Sequence, residues 1–69
     1  MTTYVINEGK FTNYNDAAKA QKKKGSGYVF KSGDIYTIRI ATFLNEQKLN
    51  EAYSKCPDKV RFWTEIISR

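Results

Sequence analysis

A chain of 69 residues has room for one domain and a thin core, which leaves little stability to support a strained catalytic centre. With 41% hydrophobic and 14% aromatic residues it has the composition of a folded chain rather than a disordered one. The net charge of +5 favours anionic partners, the absence of histidine removes the commonest general base and metal ligand, and the single cysteine, Cys56, excludes a disulfide framework.

In chain order, residues 4–7 (Tyr-Val-Ile-Asn) read as a short strand ending near Gly9. Asn13 is placed to cap a helix, with Asp16 in its first turn. That helix runs through Ala17, Ala18 and Ala20 to Lys22, Lys23 and Lys24, and Gly25-Ser26-Gly27 stops it. Its apolar side chains are all small, so it must approach its partner closely. Residues 28–31 and 35–40 are rich in β-formers and flank Ser32-Gly33-Asp34, a tight-turn sequence, so they predict a hairpin. A second helix starts at Asn45. Its Leu49, Ala52, Tyr53 and Cys56 fall on one apolar face, and Pro57 and Asp58 end it. A last strand is predicted over residues 60–67.

The predicted order is β-α-β-β-α-β. This is an α+β fold: a four-stranded antiparallel sheet with two helices on one face, forming a single domain over residues 1–69. A weak repeat at an offset of 32 residues pairs Ile6 with Ile38, Phe11 with Phe43, Asn13 with Asn45 and Ala20 with Ala52. It predicts two βα units in pseudo-twofold relation.

The repeat also carries a family resemblance. Ile6-Asn7-Glu8-Gly9-Lys10-Phe11, with Asn13 and Ala17 following, and Tyr36-Thr37-Ile38-Arg39-Ile40-Ala41-Thr42-Phe43 resemble the two strand-to-helix segments of the SPOR domain, a bacterial peptidoglycan-binding module. The resemblance covers about residues 4–67. It implies the βαββαβ fold and a sheet face turned toward glycan strands. Asn7 stands where the family usually has Gln, and Ala41 where its second segment has Gly. RNA-recognition domains share the order of elements, but their aromatic RNP run is absent from this chain.

Strand side chains alternate between faces. With Ile6, Ile38 and Ile40 turned to the helices, Asn7, Thr37 and Arg39 turn to the other face. A two- or four-residue hairpin loop adds Tyr28 and Phe30 to them, and a three-residue loop reverses this. These five residues are the candidate ligand-binding sheet face: aromatic rings stack on bases or sugars, and Arg39 adds a cation and a fork of donors. In the last strand the alternation does not say which set, Phe62 and Thr64 or Trp63 and Glu65, faces out. Lys19, Lys22, Lys23 and Lys24 form a candidate basic patch for phosphates, or a solvated helix end that serves the dipole. Trp63 is expected in the core, and Cys56 as a small buried apolar residue.

The four Glu and three Asp show no metal-ligand spacing, and there is no phosphate loop or catalytic triad. The expectation is therefore a binding protein without enzymatic activity or cofactor. No run approaches the ~20 apolar residues of a membrane span, and residues 1–5 have no signal-peptide character. A full-length chain is expected in the cytoplasm, and a domain cut from an exported protein in the periplasm or cell wall. The expected partner is RNA, DNA or a nucleic-acid-handling host protein, which would suit a phage or mobile-element accessory factor that inhibits its host. The rival expectations are peptidoglycan glycan and a protein–protein module that caps a partner sheet or dimerises through its open face.

Overall fold

The computed structural model describes residues 1–68; Arg69, the last residue of the expected domain, lies outside them. The elements are β1 (Thr2–Phe11), α1 (Tyr14–Lys24), β2 (Tyr28–Ser32), β3 (Ile35–Phe43), α2 (Glu46–Ser54) and β4 (Phe62–Ser68). The four strands form one antiparallel sheet in the order β2-β3-β1-β4. This is the split βαβ arrangement of ferredoxin-like folds. α1 lies over β2, β3 and β1, and α2 over β1, β3 and β4. Right-handed crossovers place both helices on one face.

The helices begin where the asparagines are. The Asn13 carboxamide oxygen accepts from the Asp16 N–H at 2.9 Å, and its Nδ2 donates to the Asp16 carboxylate at 3.1 Å. Asn45 repeats the device, accepting from the N–H groups of Gln47 and Lys48. Each cap satisfies amide donors that no intrahelical carbonyl can reach. Asn45→Ala is expected to lower the unfolding free energy by about 1 kcal/mol in urea denaturation.

Ala17 and Leu49 are the buried residues of the two helices, against a sheet face that carries Ile6 and Ile38. No Cα of α1 lies within 8 Å of one in α2. The core is therefore helix against sheet, with a gap between the helices.

β1 is longer than predicted. It continues through Gly9 by a β-bulge: Glu8 pairs with Ile38 and Phe11 with Tyr36, so β1 has one residue more than β3 in this stretch. Gly9 has φ +77, a left-handed conformation that glycine adopts without a Cβ penalty. The strand signal at Gly9 reads as an end in sequence because the bulge residue breaks the alternation. A second shift, between Ile6 and Asn7, leaves Ile40 as the extra residue of β3. β4 begins later than predicted, at Phe62. The Asp58 carboxylate accepts from the N–H groups of Val60 and Arg61 and holds them in a turn, where Val60 is 91% exposed.

Candidate functional site: a closed sheet face and a basic groove

The hairpin has the two-residue loop Gly33-Asp34, with Ser32 paired to Ile35. Tyr28 therefore lies opposite Arg39, and Phe30 opposite Thr37. Arg39 in turn lies opposite Asn7. All five predicted face residues thus share the side away from the helices. β4 contributes Trp63 and Glu65 to that side, opposite Asn7 and Val5.

This face is not an open platform. Asn7 and Thr37 are 0% exposed and Arg39 is 5% exposed. The Ser32 hydroxyl donates to Glu65 Oε2 at 2.9 Å. Ser32 is on β2 and Glu65 on β4, the two opposite edges of the sheet. The sheet must curl for them to meet, and the face becomes concave. Glu65 Oε1 accepts from Asn7 Nδ2 at 3.1 Å and from Arg39 at 3.3 Å, while Arg39 Nε donates to Asn7 Oδ1 at 3.4 Å. The Arg39 guanidinium lies 3.6 Å from the centroid of the Phe30 ring. Thr37 donates to the carbonyls of Glu8 and Gly9, and the Trp63 indole N–H also donates to Gly9. The polar groups of Asn7, Thr37 and Arg39, read from sequence as facing a ligand, are occupied inside the fold. Burying them unpaired would cost free energy, so curling and pairing go together. Two of the five remain accessible: Tyr28 is 53% exposed, and Phe30 is half-buried and edge-to-face with it at 6.2 Å. Phe30 and Arg39 also border an open cavity of about 320 Å³, lined in addition by Met1, Thr3 and Ile67.

The basic patch divides. Lys19, Lys22 and Lys23 are exposed on α1. Lys24, the last residue of the helix, turns to the sheet and meets Glu8 Oε1 at 2.6 Å. Arg61, in the turn before β4, meets the other Glu8 oxygen at 2.5 Å. Glu8 is 3% exposed on the helix side of β1. A carboxylate so buried requires compensating charge, and here it draws a cation from either side.

Glu8 is the floor of a groove of about 830 Å³ that opens between the end of α1 and the turn before β4. Lys10, Lys23, Lys24 and Arg61 line it together with Asp58, and Phe11 and Phe62 are its apolar walls. Lys24 Nζ sits 5.6 Å from the Phe62 ring centroid, and Lys10 Nζ 5.2 Å from that of Trp63. Sequence reasoning missed Lys10, Arg61 and Glu8. Lys10 and Arg61 lie outside any charge run, but Glu8 left a signal: an acid two residues after Ile6, where the alternation requires a core-facing side chain.

Trp63 and Cys56 are half-buried, and Cys56 is a free thiol just past the end of α2. Among the described residues no cluster of His, Cys, Asp and Glu could hold a metal ion, and no helix is long and apolar enough to cross a membrane. No family model matches the chain, and neither the curated proteins nor the solved structures contain a match.

Proposed function

We propose that this chain is a non-enzymatic binding protein for single-stranded nucleic acid, RNA in the first place, and that the strand lies in the basic groove rather than on the sheet face. The observation that carries this reading is the convergence of four cations, Lys10, Lys23, Lys24 and Arg61, on one groove with aromatic walls, against the two carboxylates, Glu8 and Asp58, that also line it. Lys19 and Lys22 extend the positive surface along α1. Such a groove attracts phosphates through counterion release, and ring faces accept bases of any sequence.

The test is fluorescence anisotropy of a labelled single-stranded RNA over a salt series. Each phosphate neutralised adds roughly 0.7 to the slope of log affinity against log salt. Changing Lys10 and Lys23, the two groove lysines not paired with Glu8, together to glutamine is expected to flatten that slope by about 1.4. Lys48→Gln, exposed on α2 away from the groove, is expected to leave it unchanged. An equal slope in wild type and the double variant would remove the groove from the interface.

A second reading is the peptidoglycan glycan implied by the SPOR resemblance. It is supported by the accessible rings of Tyr28 and Phe30 beside the 320 Å³ cavity. Salt-tolerant retention on purified sacculi, lost in Tyr28→Ala, is its expected signature.

A further inference from the structure

The two edges of the sheet are unequally protected. Natural edge strands are kept from pairing with other chains by shortness, outward charges, proline or bulges. β2 is five residues long and carries an exposed Lys31. β4 has seven residues in unbroken register with β1, without proline or bulge. Its one charged side chain, Glu65, turns into the concave face, where Arg39, Asn7 and Ser32 hold it.

One hydrogen bond fixes which backbone groups β4 leaves free. The Gly9 N–H donates to the Arg61 carbonyl at 2.8 Å. Hydrogen-bonded pairs alternate in an antiparallel ladder, so Trp63, Glu65 and Ile67 bond to β1 through their backbones. Phe62, Thr64, Ile66 and Ser68 direct N–H and C=O to the outer edge. The Phe62 N–H is already taken by the Asp58 carbonyl at 3.0 Å. Among the described residues, Thr64 and Ile66 have no strand beyond them. Thr64 is exposed, and Ile66 is 57% exposed, an apolar side chain beside unpaired backbone groups.

We propose that the partner of this edge is a second copy of the chain, paired antiparallel along β4 about a twofold axis at Ile66. In this register Ile66 lies against Ile66 of the other copy, Thr64 against Ser68, and Glu65 against Ile67. An axis at Glu65 would set two carboxylates directly opposite one another. An axis at Thr64 would need the Phe62 N–H that Asp58 already holds. The twofold pairing is isologous, so the outward N–H and C=O groups of Thr64, Ile66 and Ser68 in one copy are met by those of Ser68, Ile66 and Thr64 in the other. Charge does not oppose it. Glu65 is paired with Arg39, Lys24, which approaches β4 at Phe62, is paired with Glu8, and Arg61 falls outside the paired segment. The outcome is one continuous sheet with the helices of both copies on the same side.

Sedimentation velocity of the full chain over a wide concentration range tests this. The wild type is expected to show a reversible monomer–dimer equilibrium. Ile66→Lys sets two cations against each other at the axis and is expected to raise the dimer dissociation constant at least about tenfold. Thr64→Pro removes an outward N–H without adding charge, a change that an edge strand tolerates, and is expected to weaken the dimer in the same direction. Leu44→Lys, at a residue 78% exposed and outside β4, is expected to leave it intact. Circular dichroism melts establish that each variant is folded. Should Ile66→Lys fail to fold, Thr64→Pro decides. A wild type that stays monomeric throughout overturns the proposal, as does a dimer that the folded edge variants leave unchanged.

Discussion

Arg39→Ala is expected to lower the unfolding free energy by about 3 kcal/mol, a large share of the roughly 3–10 kcal/mol available to a domain of this length. Sequence reasoning alone gives the opposite expectation, weakened ligand binding with stability kept. The reversal follows from burial. Arg39 is 5% exposed, bonded to Asn7 and Glu65 and stacked on Phe30. Truncation leaves a cavity under Phe30. It also strips the counter-charge from Glu65, whose side chain is only 27% exposed, while Asn7 loses a donor. Arg39→Lys is expected to recover part of the loss, because it restores the charge but neither the planar stack nor the fork of donors. Urea denaturation followed by circular dichroism measures both. A loss below about 0.5 kcal/mol for Arg39→Ala would place the residue with ordinary surface charges and reopen the face as a ligand platform.

Gly27→Ala is the second large effect, at about 3 kcal/mol. Gly27 has φ +78, and a Cβ there would lie 2.9 Å from the Arg39 carbonyl oxygen and 3.0 Å from Ile38 Cγ2. The first obstacle is backbone in a central strand and cannot turn aside. Gly25 supplies the control. It also has a positive φ, +85, but nothing lies within 4 Å of the added carbon. Gly25→Ala should therefore cost only the conformational penalty, about 1 kcal/mol. The difference between the two variants measures how closely the α1–β2 connection approaches β3. Equal losses would mean that backbone conformation alone sets both.

The features legible in the sequence are those written in neighbouring residues. Asn13 and Asn45 announce the helix starts, Gly25 the end of α1, and Ser32-Gly33-Asp34 the hairpin. The loop length, left open by Ser32-Gly33-Asp34, is two residues in the structure, and with it Asn7, Tyr28, Phe30, Thr37 and Arg39 share one sheet face. Alternation says which face a residue takes but not whether that face stays open. Its closure depends on Ser32 meeting Glu65, residues 33 apart in sequence and on opposite edges of the sheet. The groove was hidden for the same reason. Lys10, Lys24 and Arg61 come from a bulged strand, a helix end and a turn, and only the tertiary fold brings them around Glu8.

The tie between Ser32 and Glu65 bears on how the chain acquires its structure. β1 is central, and its neighbour β4 lies almost a full chain length away, with Thr2 paired to Ser68. Closing so long a loop is entropically slow, and it comes before the contacts that reward it. Until β4 docks, the hairpin can form, but Arg39 and Asn7 lack the carboxylate that satisfies them. The half-assembled sheet thus lacks these polar pairs and leaves apolar surface exposed. Such a deficit suppresses partly folded species and favours a single cooperative transition, in which Glu65 is among the last groups to settle.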